Sequence, residues 1–336
     1  MNARDLLPLG IALALLAALP FLGLSGSVLN FLVTTLIIAL AGLGWNVLGG
    51  FGGQYSFGHA AFFGTGAYAT AVLQLKFGWN AWGALAAGIG LGTLVGLAIG
   101  YLSFRAGLRG SYFALVTLAF AEVFRILANT ADITGGAAGL LLKLQPGFAT
   151  LQFSDRRVFY LLVLAFVGLA LLASRWLERS RFGAHLIAVR ENEEAARALG
   201  VDALSVKLRA IALSAAITAA AGGLYVQYFL YLDAGVAYGT WISVEALLAP
   251  IVENVYVTRS PCARTSRAAS SAFIFVYSRF EPGGVCTSMN TSLRSEFGTN
   301  PKPPYVACSQ SAPTIAPVAR NAMDQRWSSA QAMTFV

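Results

Sequence analysis

Charge is scarce in this 336-residue chain: Asp, Glu, Lys and Arg together make up 11%, against 57% hydrophobic residues. Soluble domains carry about 25% charged residues, so that class is excluded at once. Histidine is scarcer still, with only His59 and His185, far apart and without a nucleophile signature. The His-Glu-x-x-His pattern of a membrane metalloprotease is missing. Each of the four lysines (Lys76, Lys143, Lys207, Lys302) lacks a preceding glycine, so there is no phosphate-binding P-loop. If ATP drives this protein, another chain hydrolyses it. All three cysteines (Cys262, Cys286, Cys308) fall after residue 260 without metal-ligand spacing, which leaves no disulfide framework, metal site or cofactor expected. Acids inside the apolar stretches are nearly absent, which counts against a proton relay.

What the chain does have is long apolar runs, with a mean hydropathy of +0.66. A helix needs about 20 apolar residues to cross a bilayer. Candidate spans are Leu6–Leu24, Val28–Gly50, His59–Leu75, Trp82–Phe104, Ser111–Ala128, Val158–Trp176 and Leu208–Leu232, with a shorter run at Trp241–Val252. Leu6–Leu24 has no clear small-residue cleavage site after it and is read as retained. The expected fold is therefore all-α: a polytopic bundle of about seven to eight transmembrane helices. Gly92, Gly96 and Gly100 make overlapping small-xxx-small units within one span, a sign of tight helix packing.

The net charge of +8 does not call for nucleic acid, because Lys and Arg gather in alternate loops as the positive-inside rule expects. Arg4, Arg105, Arg109, Arg175, Arg179, Arg181, Arg190, Arg197, Lys207 and Arg209 fall in loops assigned inside. Lys76, Lys143, Arg156 and Arg157 fall outside. This places the N-terminus in the cytoplasm.

A charged island from Arg175 to Arg209 interrupts the apolar text. Within it, Arg190 to Gly200 reads as a short helix. Asn192 can cap its start, Glu193 and Glu194 suit the positive end of the dipole, and Gly200 can take the left-handed closing position. Asp202 offers a cap for the next helix. Charged loops between spans are often merely solvated. Against that, Glu194-Ala195-Ala196-x-x-x-Gly200 puts small residues on a surface helix before a sharp turn, which invites close docking.

Two further features stand out. Gly49–Gly58 holds five glycines beside Gln54, Ser56, Gly58 and His59, which disfavours continuous helix. Such a segment is either a break lining a pathway or a tight loop between spans. Glu122 and Arg125 sit three apart in an apolar run and so share a helix face. Charges there are commonly functional, but the two can also neutralise one another structurally.

Four motifs in order then acquire a joint meaning. They are Trp45–Gly64, Leu108–Phe120, Thr134–Leu140, and Arg181-Phe182-Gly183 through Gly200. Together they resemble the permease of branched-chain amino-acid ABC importers, the LivM type, over about residues 30–250. The resemblance implies a non-enzymatic subunit of a bacterial inner membrane. It also implies a second homologous permease subunit, two ATP-binding subunits and a periplasmic substrate-binding protein as partners. Glu193, Glu194, Ala195, Ala196 and Gly200 would form the cytoplasmic coupling helix that meets the ATPase, and Gln54, Ser56, Gly58 and His59 match the glycine-rich motif. The alternatives are a permease of the same architecture for urea, short amides or another small solute, and a non-transporting membrane enzyme or scaffold.

The text changes near Pro250. Residues 1–250 read as the transmembrane permease domain. Residues 251–336 read as an irregular tail rich in Ser, Thr, Arg and Pro, either disordered or a product of a lost reading frame. We expect a one-base shift downstream of codon 250 to restore apolar spans in the nucleotide sequence. Ser- and Pro-rich text in every frame would instead mark the tail as native.

Overall fold

The computed structural model describes residues 3–257 apart from Leu24, Pro146 and Ser154; the expected tail from residue 258 onward lies outside the described residues. Helix α1 (Ala3–Ala18) leads through a short 3-10 turn to α2 (Gly26–Trp45), which widens into a π-helical stretch over Asn46–Phe51. There follow α3 (His59–Phe77), α4 (Ala81–Arg105), α5 (Gly110–Thr130) and α6 (Arg156–Arg179). Two short helices, α7 (Arg181–Glu191) and α8 (Glu193–Ala198), precede the long α9 (Ala203–Phe229), and α10 (Ala234–Ala237) and α11 (Thr240–Val257) complete the order.

Short polar side chains start these helices. Ser25, Asn80, Asp155, Ser180, Asn192 and Asp202 each accept a hydrogen bond from a backbone N–H of the first turn. Each such cap satisfies a donor that the helix itself leaves open.

The chain is an all-helical multi-pass membrane protein. Among the described residues, five helical stretches are long and apolar enough to cross a membrane: Gly26–Phe51, α4, α5, α6 and α9. The remaining expected spans are helical too, at α1, α3 and α11, but fall outside that set. At 16 residues α1 is short, and α3 is diluted by His59, Thr65, Thr70, Gln74 and Lys76. The span expected at Leu208–Leu232 starts earlier and stops sooner than its hydropathy indicates. Asp202 caps it from Ala203, and Leu230 turns left-handed at φ 57°, so Tyr231–Leu232 pairs antiparallel with Leu140–Leu141 instead. The short helix expected from Arg190 proves to be two, because Asn192 is extended (φ −154°) between α7 and α8.

Helix α9 is the centre of the bundle, packed by α2, α3 and α4. A Cβ added at Gly92, Gly96 or Gly100 of α4 would lie 2.4, 2.5 and 2.7 Å from Ala219, Ala215 and Ile211 of α9. The small-residue stripe of α4 therefore brings the two backbones together, as its spacing anticipates.

The connections define two ends of the bundle. At one end Lys76 donates to the Asp132 carbonyl (3.4 Å), Trp82 Nε1 to the Phe148 carbonyl (3.0 Å), and the two short strands pair. At the other lie the α4–α5 turn, α7, α8 and the start of α9. Gly96→Val is expected to cost about 1–3 kcal/mol by overpacking the α4–α9 contact. Gly90→Val, where an added Cβ meets nothing within 4 Å, should be close to neutral. Thermal unfolding of the two variants in detergent checks the contrast.

Candidate functional site: a carboxylate hub and a broken helix

The capping residues read from the sequence fall into place around α8. Asn192 Oδ1 accepts from the Glu194 and Ala195 N–H groups (3.1 and 3.0 Å), and Asp202 Oδ1 accepts from Leu204 and Ser205 (3.1 and 3.3 Å). Gly200 closes the turn at φ 85°, a conformation that glycine adopts without strain.

This geometry divides α8 into two faces. Ala196 and Glu193 point inward, the Glu193 side chain only 10% exposed. Glu194, Ala195 and Gly200 point outward, joined by Leu199 with 86% of its surface exposed. Glu193 is the hub of the inner face. Its Oε2 accepts from Lys207 Nζ of α9 (2.8 Å) and faces Arg109 Nε at the start of α5 (3.3 Å), while Oε1 accepts from Arg197 Nη2 (2.7 Å). Lys207 is itself only 5% exposed, and its ammonium lies 5.6 Å from the centre of the Phe104 ring on α4. One carboxylate thus joins α8 to α5 and α9, next to the end of α4. Burial pushes the Glu193 carboxyl up, but the Lys207 hydrogen bond and the charges of Lys207, Arg109 and Arg197 outweigh it and hold the group below its ordinary value.

The glycine-rich segment lies against the same end of the bundle. Arg190, the last basic residue of α7, donates to the Gly50 carbonyl (2.8 Å). Gly53 lies against the Arg190 side chain at φ 63°, where a Cβ would come within 2.4 Å of Arg190 Cγ. From there residues 54–58 return into the bundle with alternate side chains on opposite sides: Gln54 and Ser56 buried, Tyr55 and Phe57 exposed. Trp45 Nε1 donates to the Ser56 carbonyl (2.8 Å), and Ser56 Oγ accepts from the Gly58 N–H (3.2 Å). His59, fully buried, places Nε2 2.8 Å from Ser214 Oγ, whose hydroxyl donates to the Gly44 carbonyl (2.7 Å). The Ala60 N–H finds Ser243 Oγ of α11 (2.9 Å). Gly58 is needed for contact: a Cβ there would meet the Thr117 carbonyl of α5 at 2.2 Å. The open backbone is therefore supplied with partners by α2 and α11, and the His59 ring by α9, as broken helix at membrane depth requires.

Glu122 and Arg125 pair with each other on α5, as their spacing anticipates; Arg125 Nε lies 3.0 and 2.9 Å from the two carboxylate oxygens. The pair lies apart from the hub, further along the same helix. Sequence reading overlooked four contributors. Arg109, Arg190 and Lys207 are visible in the sequence only as loop charges, and Leu199 only as one more apolar residue. A lysine placed one turn inside an apolar helix, as Lys207 is, was the available signal for a buried partner.

The family described as "Branched-chain amino acid transport system / permease component" matches residues 27–277, three quarters of the chain and 27 residues past Pro250. The high-affinity branched-chain amino acid transport system permease protein LivM of Salmonella typhimurium is 34% identical over 237 residues, covering 63% of this chain and 55% of that protein. LivM of Escherichia coli is 35% identical over the same length and shares. A probable branched-chain amino acid transport permease protein LivM of Methanocaldococcus jannaschii is 31% identical over 149 residues, 44% of this chain and 43% of that one. The chain thus spans about half the length of the curated relatives it matches. No solved structure matches it.

The hub has a measurable signature. Glu193→Ala leaves the buried Lys207 ammonium without its carboxylate and is expected to cost about 3 kcal/mol. Adding Lys207→Met to that variant should recover most of the loss, since no lone charge remains. Because the Glu193 pKa is depressed, its contribution is complete above the ordinary carboxylate value of 4.5 and is lost as pH falls below it. The gap between the unfolding midpoints of the wild type and Glu193→Ala should therefore stay constant from pH 7 to about pH 5 and narrow only as the pH is lowered further.

Proposed function

The chain belongs to the branched-chain amino-acid transport permease family, and we propose that it is the transmembrane subunit of an ATP-driven importer for branched-chain amino acids. Its partners in this reading are a second related permease, two ATP-binding subunits and a periplasmic substrate-binding protein. The membrane is a bacterial inner membrane. The basic end of the bundle (α7, α8 and the α4–α5 turn) faces the cytoplasm by the positive-inside rule, with the N-terminus on that side.

The observation that carries this reading is the two-faced α8. Leu199, with 86% of its surface exposed beside small Ala195 and acidic Glu194, offers a partner an apolar anchor on the outward face of α8. The covering partner is an ATP-binding subunit, since this chain has no phosphate-binding loop of its own. Its movement on binding and hydrolysing ATP displaces α8. The inner face passes that displacement on, through Glu193 to α5 and α9, and through Arg190 and Gly50 to the glycine-rich segment. Such a signal changes the transport state only if these contacts differ between outward- and inward-facing forms. Gln54, Ser56, Gly58 and His59 then belong to the segment that the coupling element moves.

Leu199→Asp removes the apolar anchor without touching the hub. An interface anchor contributes about 2 kcal/mol or more, so uptake of leucine by the co-expressed complex should fall by about tenfold or more, with less ATPase recovered in copurification. Gly200→Val meets no neighbour but forces a β-branched residue to a positive φ, and should reduce coupled uptake while leaving membrane insertion intact. Full uptake in both variants, or labelling of residue 199 from the periplasmic face of intact cells, would overturn the reading.

A further inference from the structure

Helix α5 is the least buried of the five spanning stretches. Tyr112, Leu115, Ala119, Val123, Ile126 and Leu127 are exposed along one side of it. In the same surface sit Glu122 and Arg125, their side chains 43% and 39% exposed. Glu122 lies about 18 Å along the axis from the start of α5 and about 12 Å from its far end, at 1.5 Å per residue. A half-exposed carboxylate at that depth is costly against hydrocarbon. It belongs instead on a wet surface.

We propose that Glu122 and Arg125 are the solute-contacting pair of the transport pathway, and that they hold the two charged ends of a zwitterionic α-amino acid. The inference rests on the transport reading above and adds to it the residues that meet the solute. The carboxylate of Glu122 takes the solute ammonium, and the guanidinium of Arg125 takes the solute carboxylate, a planar match that lysine would not give. The neighbouring Ala119, Val123 and Ile126 supply an apolar surface for an aliphatic side chain. The two groups neutralise one another, as the hydrogen bonds from Arg125 Nε show. The charges are thus held ready at small cost to membrane insertion. A neutral or singly charged solute gains less, because separating the pair leaves one of its members unsatisfied.

The test uses the full transporter with its ATPase and binding-protein partners. The double variant Glu122→Gln/Arg125→Gln removes both charges together, so no lone charge is left in the membrane. A purely structural pair predicts leucine uptake near the wild-type value. The solute-contacting role predicts a loss of about tenfold or more at unchanged complex yield, because two charge-assisted hydrogen bonds are lost. The second measurement does not depend on that variant accumulating. In a chain with Cys262, Cys286 and Cys308 replaced by Ser, Val123→Cys should react with a membrane-impermeant thiol reagent, and leucine should slow the reaction severalfold. No reaction, or a reaction indifferent to leucine, would overturn the proposal. Leucine uptake by the unaltered complex tests the underlying transport reading separately; if uptake is present, these variants bear on the pair alone, and if it is absent, both fall.

Discussion

The end of the bundle that carries α7 and α8 depends on one buried carboxylate. Glu193 is held by Lys207, Arg109 and Arg197, and these come from three different parts of the chain. Without such a tie, α8 would be a six-residue helix with too few hydrogen bonds to persist alone. The ion pair also answers for Lys207, whose ammonium is otherwise shut in by the bundle beside Phe104. A buried pair of this kind is weak evidence for added stability, since desolvation offsets much of the attraction. It is better evidence for a fixed geometry: α8 has one seat, and its outward face is set by that seat.

The rest of the bundle is organised so that helices approach closely and the broken backbone at Ser56, Gly58 and Ala60 finds partners. The glycines of α4 let Ala215 and Ala219 of α9 come against the backbone, and Gly58 does the same towards Thr117 of α5. Close approach brings Ser214 and Ser243 within reach of His59 and the Ala60 N–H. Small residues and short hydroxyls thus act together. The former shorten the distance, and the latter use it to satisfy polar groups that lipid could not.

What was legible in the sequence was local. Asn192, Asp202 and Gly200 act within three residues of themselves, so their roles as caps and turn could be read directly. The spacing of Gly92, Gly96 and Gly100 likewise announces a face without needing a partner. Glu193 was readable as an N-terminal acid but not as a hub, because Arg109 and Lys207 reach it only once α5 and α9 stand side by side. The same limit hid Arg190 behind its count as a loop charge, although it supports Gly50. Hydropathy overran α9 because Leu230 is as apolar as its neighbours; its positive φ is a property of the chain path, which composition does not record. Helix α7 was missed because its apolar stripe of Phe182, Leu186 and Val189 is short and set among the charges of Arg181, Arg190 and Glu191.

Helix α5 connects these observations into one mechanical argument. Its first turn is held by the Glu193 hub through Arg109, its middle receives the glycine-rich segment at Thr117, and its exposed face carries Glu122 and Arg125. Arg109 and Glu122 are about 20 Å apart along this one helix at 1.5 Å per residue. The glycine-rich segment is held in turn by Arg190 of α7, which donates to the Gly50 carbonyl. Two sets of contacts, one from α8 through Arg109 and one from α7 through Gly50, therefore converge on one spanning helix. In the proposed transport reading, that convergence is what would let an event at the α7–α8 end reach the exposed face of α5. The Gly58–Thr117 contact, too close to accept even a methyl group, is where the glycine-rich segment and α5 are bound most tightly to one another's position.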